Sequence, residues 1–169
     1  MAKKEAQTPE NNQQPQPPIM IHSQFIKDLS LEIPHAPGIF SEVKSQPQIN
    51  IDVNINADHI QDNQFSVDLS FRIDGDVPSK KFFILEMVYS CVVSLNVPQE
   101  HVEPVLMIEI PHMLFPYARQ AISTILFNGG LCYDFARQAP LMLTPIDFMA
   151  MYQNRAHNAK AEPSAAAKN

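Results

Sequence analysis

Between residues 49 and 73 the chain alternates apolar and polar side chains with a period of two, and only an extended strand turns such a pattern into one dry and one wet face. Ile49, Ile51, Val53, Ile55 and Ala57 interleave with Asn50, Asp52, Asn54 and Asn56. Phe65, Val67, Leu69, Phe71 and Ile73 interleave with Ser66, Asp68, Ser70, Arg72 and Asp74. A weaker alternation runs from Phe25 to Ile33, with Asp28, Ser30 and Glu32 on its polar side. Phe82 to Leu95 differs, because Phe83, Leu85, Met87, Tyr89, Cys91, Val93 and Leu95 fill one face while Phe82, Ile84, Val88 and Val92 make the other largely apolar. Such a strand is expected to be covered on both sides. Breakers part the four runs: Pro34, Pro37 and Gly38, then Asp62 and Asn63, then Asp74, Gly75, Asp76 and Pro78, the last group reading as a hairpin connection. Four antiparallel strands are predicted.

After Pro98 the period changes. Pro116 suits the first turn of a helix, and Phe115 before it is biased to extended backbone, so a helix is predicted over 116–127, stopped by Asn128, Gly129 and Gly130. Its apolar face would hold Ala118, Ala121, Ile122, Ile125 and Phe127, and its mixed face Arg119, Gln120, Ser123 and Thr124. A last helix is expected from Thr144 as N-cap, with Pro145 at its first position and Asp147 near the positive end of its dipole. Phe148, Met149 and Tyr152 would share one side of it. The element order predicts an α+β domain, a four-stranded antiparallel sheet followed by two helices.

Residues 1–18 are rich in proline and glutamine, and 154–169 hold no large apolar side chain beyond a possible helical start. Neither segment buries enough to offset an ordering entropy of about 1–2 kcal/mol per residue. Disordered tails are therefore expected on either side of a domain at 19–153. Across the 169 residues, 12 Lys and Arg stand against 18 Asp and Glu, a net charge of −6. The tails carry 0 and +2, which leaves −8 on the domain. A phosphate-tracking nucleic-acid binder needs a basic stripe, so this balance points to a basic partner instead. The N-terminus has no apolar segment of a secretory signal, and no run reaches the roughly 20 residues of a membrane helix, so a cytoplasmic protein without membrane insertion is expected. Two cysteines, Cys91 and Cys132, are too few for a disulfide framework or a four-thiolate zinc site.

The six histidines show no paired spacing for a metal, and no GxxxxGK[ST], GxGxxG or GxSxG occurs. No catalytic constellation is apparent, and no enzyme, metal or cofactor is expected. The apolar inventory, with ten Phe and eight Met, serves either a core or a binding surface for chains of varied sequence.

Three segments in order resemble the SecB family of bacterial protein-export chaperones. They are Lys27-Asp28-Leu29-Ser30-Leu31-Glu32 continuing to Pro34, Ala36 and Pro37; then Leu114-Phe115-Pro116-Tyr117-Ala118-Arg119; then Pro145-Ile146-Asp147-Phe148. The resemblance covers about residues 24–153. It implies a two-layer β4α2 fold assembled as a homotetramer, a dimer of dimers, with no nucleotide. It further implies a holdase that keeps unfolded secretory precursors translocation-competent and hands them to the motor ATPase SecA. The positions matching the family's SecA contact are Asp28, Glu32, Ile84 and Glu86, which would receive a basic, zinc-bearing segment of SecA, the metal being the partner's. The alternative reading is that these acids serve only to keep an edge strand soluble. Client contacts are expected at Phe148, Met149, Met151 and Tyr152, each of which could equally be packing on the sheet. A structural oligomerisation module without client binding and a small pocket-bearing enzyme are the other readings.

Overall fold

The computed structural model describes residues 17–43, 46–78, 80–134 and 139–161; of the tails expected at 1–18 and 154–169, residues 1–16 and 162–169 lie outside the described residues. Four long strands, β1 (Ile19–Glu32), β2 (Gln48–Gln61), β3 (Gln64–Val77) and β4 (Lys80–Leu95), form one antiparallel sheet in the order β1-β4-β3-β2. β2, β3 and β4 are a meander. The segment after β1 carries a one-turn helix α1 (Ile39–Glu42) and crosses to the far edge of the sheet.

The β2–β3 loop is two residues long, and Asp62 takes the left-handed backbone there (φ 47°), which a short polar side chain tolerates better than a branched one. The His59 ring donates to the Asp62 carbonyl at 2.9 Å and closes the turn. The β3–β4 connection corrects the sequence reading. Asp74 ends the alternation as a strand residue, but Gly75 and Asp76 continue the strand as well, and the turn comes at Pro78. Gly75 is needed for contact, since a Cβ there would overlap the Phe83 ring across the pair. An irregularity at Gly75/Asp76 leaves Phe82 between the paired residues of β4, so that Phe82 and Phe83, although adjacent, are both buried. Phe82 packs edge-on against Phe40 of the α1 turn and against Phe83.

A helical run covers one face of the sheet. It comprises α2 (Gln99–Pro104), a π-helical turn at Val105–Glu109 and α3 (Ile110–Asn128), followed by a small hairpin of β5 (Cys132–Asp134) and β6 (Ala139–Pro140) and by α4 (Phe148–Ala161). The expected helix start at Pro116 is therefore wrong by more than one turn. Pro104 ends one segment and Pro111 opens the next, and between them the Ile110 N–H reaches the Val105 carbonyl five residues back, so the wider turn bridges the prolines. Pro116 lies inside α3. The longer helix also has a different buried stripe: Ile110, Leu114, Phe115, Ala118, Ile122, Ser123 and Leu126 face the sheet, whereas Phe127 is half-exposed.

The core lies between this stripe and the apolar side of the sheet, where Val67, Leu69, Phe71, Ile73, Leu85, Met87, Cys91 and Val93 are buried. Each such large side chain contributes about 1.5–3 kcal/mol on burial. The other side of β4 has no covering layer among the described residues. Ile84, Val88 and Val92 stay half-buried there, sheltered only by their strand neighbours.

α4 starts later than expected. The Asp147 carboxylate, not Thr144, caps it by accepting the Ala150 N–H at 2.8 Å, and residues 141–147 are irregular, with Leu141 and Leu143 tucked into the core. The helix continues to Ala161, past the boundary drawn at residue 153.

Candidate functional site

Two surfaces carry the residues singled out in the sequence. The first is the uncovered face of the sheet. Strand register sets three rows across it, read from β2 to β1: Asn50–Asp74–Ile84–Glu32, Asp52–Arg72–Glu86–Ser30 and Asn54–Ser70–Val88–Asp28. Residues directly opposite in antiparallel strands point to the same side, so these twelve side chains share one surface. Asp28, Glu32, Ile84 and Glu86, chosen on two strands far apart in the chain, are thereby brought together on neighbouring strands. The grid holds five carboxylates and one cation, Arg72.

The electrostatics follow from that imbalance. Arg72 pairs with Glu86, and its Nε donates to Asp74 at 3.4 Å; the Asp74 charge and then Glu86 hold the guanidinium's proton more tightly than usual. Asp74 also faces the Lys81 ammonium at 4.0 Å, while one of its oxygens is buried without a hydrogen bond. Above the grid, an irregularity of β1 between Ile26 and Asp28 turns Lys27 toward Asp68, with an ion pair of 2.6 Å, and Ser90 donates to the same carboxylate at 2.7 Å. The hydrogen bond and charge of Asp68 raise the Lys27 pKa. No basic side chain pairs with Asp28, Glu32 or Asp52 among the described residues. A shallow cleft of about 320 Å³ opens in the grid between Asp28, Asp52, Arg72 and Glu86, with the backbone of the strands as its floor.

The second surface lies at the β2 edge, where α4 leans over it. A cleft of about 480 Å³ is lined by Ala57, Val102, Leu106, Met107 and Tyr152, and a neighbouring one of about 420 Å³ by Ile55, Met107, Met151 and Tyr152. Arg155 borders both and donates to the Ile55 carbonyl at 2.9 Å. That bond shows the Ile55 main chain facing outward from the sheet, and by the two-residue repeat Val53 and Ala57 present theirs likewise.

The structure divides the four residues expected to touch clients. Met151 and Tyr152 line the clefts, and Met149 is half-exposed outside them. Phe148 is fully buried, its ring edge-on to Phe115 at 6.0 Å and to His112 at 5.0 Å, which is the position of a core anchor. Val102, Leu106 and Met107 went unnoticed in the sequence because no element is predicted between Pro98 and Pro116. Asp52, Arg72 and Asp74 went unnoticed because their place beside Glu86 depends on register. No group of three or more potential metal ligands comes together among the described residues, and no helix of theirs is long and apolar enough to cross a membrane.

The model of a protein family, preprotein translocase subunit SecB, matches residues 12–159. The chain belongs to the SecB family of protein-export chaperones. It is 43% identical over 150 residues to the protein-export protein SecB of Rhodospirillum rubrum, covering 89% of each chain. It is 39% identical to that of Paramagnetospirillum magneticum, over 94% of this chain and 96% of the relative. Among solved structures, a SecB-like chaperone of Mycobacterium tuberculosis in complex with an antitoxin peptide superposes with a TM-score of 0.60 at 12% identity, covering 76% of this chain and 90% of that one. That likeness bears out the fold, a sheet backed by helices. Within the SecB frame, the acidic grid and the clefts stand on separate parts of the molecule, one on the bare sheet face and one at the β2 edge.

Proposed function

We propose that this SecB-family chain is an ATP-independent cytoplasmic holdase that binds unfolded secretory precursors, keeps them translocation-competent and delivers them to SecA. The observation that carries the client-binding half is the pair of clefts beside β2. Apolar side chains of varied shape (Met107, Met151, Tyr152, Leu106) lie next to an outward-facing strand edge. An extended chain could place its main chain along that edge and its side chains in the clefts, which favours unfolded segments over finished folds. Methionine and tyrosine accept many sequences because the one is flexible and the other offers broad area. Phe148 supports the site from below by seating the first turn of α4, and Met149 adds exposed apolar surface to the same helix. A chaperone of this fold has been solved with a peptide bound, which is in keeping with the reading.

The delivery half rests on the grid. Asp28, Glu32 and Glu86 around Ile84 form an acidic surface with an apolar centre, the complement of a basic segment of SecA. Each exposed charge pair contributes only about 0.2–1 kcal/mol, but several facing one basic segment steer its approach and make binding salt-sensitive.

The test is to dilute a slow-folding precursor from denaturant into buffer with the purified protein and no nucleotide. Delayed folding is expected, with the native precursor left unbound. A need for ATP, or equal capture of native protein, would overturn the reading.

A further inference from the structure

The acidic grid contains its own competitor. Arg72 stands in the middle row, directly across from Asp52 on one side and Glu86 on the other, and it is paired with Glu86 and Asp74. It also lines the shallow cleft together with Asp28, Asp52 and Glu86. These are the oxygens that an incoming lysine or arginine would seek. With 48% of its side chain exposed, Arg72 makes these ion pairs at the surface, with solvent beside it into which the guanidinium can swing. Of the other cations near this face, Lys27 is committed to Asp68, and Lys81 pairs with Asp76 at 2.7 Å and reaches the grid only through a 4.0 Å contact with Asp74.

We propose that Arg72 is a built-in counter-ion that occupies the docking face in the free protein and must swing off Glu86 when a basic partner segment binds. This rests on the reading of the grid as the SecA-docking surface. The charge carried by Arg72 lowers the affinity of that surface, because every carboxylate it neutralises is one the partner must win back, and it gives the face a ready replacement when the partner departs. Loss of Arg72 leaves Asp74 still facing Lys81.

The experiment titrates purified SecA by calorimetry into the wild-type protein, Arg72→Gln, Arg72→Met and the double variant Asp28→Ala with Glu86→Ala, at several salt concentrations. Both Arg72 variants are expected to bind about two- to fivefold tighter, with a steeper salt dependence, since exposed pairs are of modest strength. The double variant is expected to bind more weakly at unchanged assembly mass. In the wild-type protein, the NMR signal of the Arg72 Nε–H is expected to shift at saturation with SecA, which reads the swing without any substitution. Unchanged or weaker binding by the Arg72 variants, with the double variant weakened, overturns the counter-ion role and leaves the docking face standing. An unmoved Arg72 signal at saturation overturns it too, whether or not the variants fold. Unchanged affinity in a folded double variant instead overturns the docking face itself.

Discussion

At Gly75 the sheet has no room for a methyl group, because the Phe83 ring lies where a Cβ would stand and is itself wedged against Phe82. Gly75→Ala is expected to destabilise the fold by about 1–3 kcal/mol, the usual range for an overpacked site, and a lower urea midpoint at unchanged slope measures it. Wild-type stability in that variant would mean that the ring has space to move. Cys91 shows the opposite relation between a residue and its surroundings. It is fully buried on β4, and desolvation pushes its thiol up to about 11. The native thiol thus keeps its proton up to that pH, while the unfolded chain begins to ionise near 9, so its contribution to stability is complete below pH 9 and falls away between 9 and 11. At pH 8 its native thiolate fraction is about a hundredfold below that of the unfolded chain. Iodoacetamide is expected to label the Cys91 peptide only after urea is added, as mass spectrometry reads; rapid labelling of the native protein would contradict the burial. Single residues of this kind were only half legible beforehand. Cys91 could be assigned to an apolar strand face, but the close approach at Gly75 depends on which residue lies across the pair.

Among the elements, α4 is the one whose placement matters most for the clefts, and two contacts hold its start. Asp147 accepts the Ala150 N–H, and Phe148 is sunk between His112 and Phe115. Asp147→Ala is expected to cost about 1 kcal/mol, a typical loss for a helix cap. Hydrogen exchange is expected to quicken in the first turn of α4 while β3 and β4 keep their protection; uniform loss across the sheet would show instead that the cap supports the whole fold. The strands were legible because burial on one side writes itself into every second residue. The helical run Gln99–Asn128 was not. Pro104 and Pro111 each look like a stop when read singly and Pro116 like a start, and only packing of Leu106, Met107 and Ile108 onto the molecule favours the π turn between Pro104 and Pro111. The hairpin of β5 and β6 left no periodic pattern, being too short to show one.

For the whole molecule, the surface left bare by one copy of the chain is informative. On α3, Met113, Tyr117 and Phe127 are 45–58% exposed, and along the edge strand β1 so are Met20, Phe25, Ile26 and Leu29 at 40–42%. Apolar residues in these numbers, on a helix face and on an unpaired strand edge, are expected to be covered by further copies. Sedimentation equilibrium at micromolar concentration is expected to give four times the 19.0 kDa chain mass. A dimer would mean that only one of the two surfaces is an interface, and a monomer would contradict both.

By itself the sequence determined the four antiparallel strands, a helix over 116–127 and another after Pro145, though not where either begins, and the acidity of the polar strand faces, since each is written in local periodicity or composition. It also carried the segments by which the SecB family is known. Tertiary structure alone decided register. A perfect hairpin across Asp62 and Asn63 would set Asp52 opposite Ile73, but the irregularity between His59 and Gln61 moves the pairing by one residue and sets Asp52 opposite Arg72. A one-residue shift exchanges the two faces of a strand, so that irregularity decides which side chains meet across the sheet. The acidic grid, the position of Arg72 within it and the clefts under α4 all follow from pairings between distant segments, and no pattern within a single strand or helix records them.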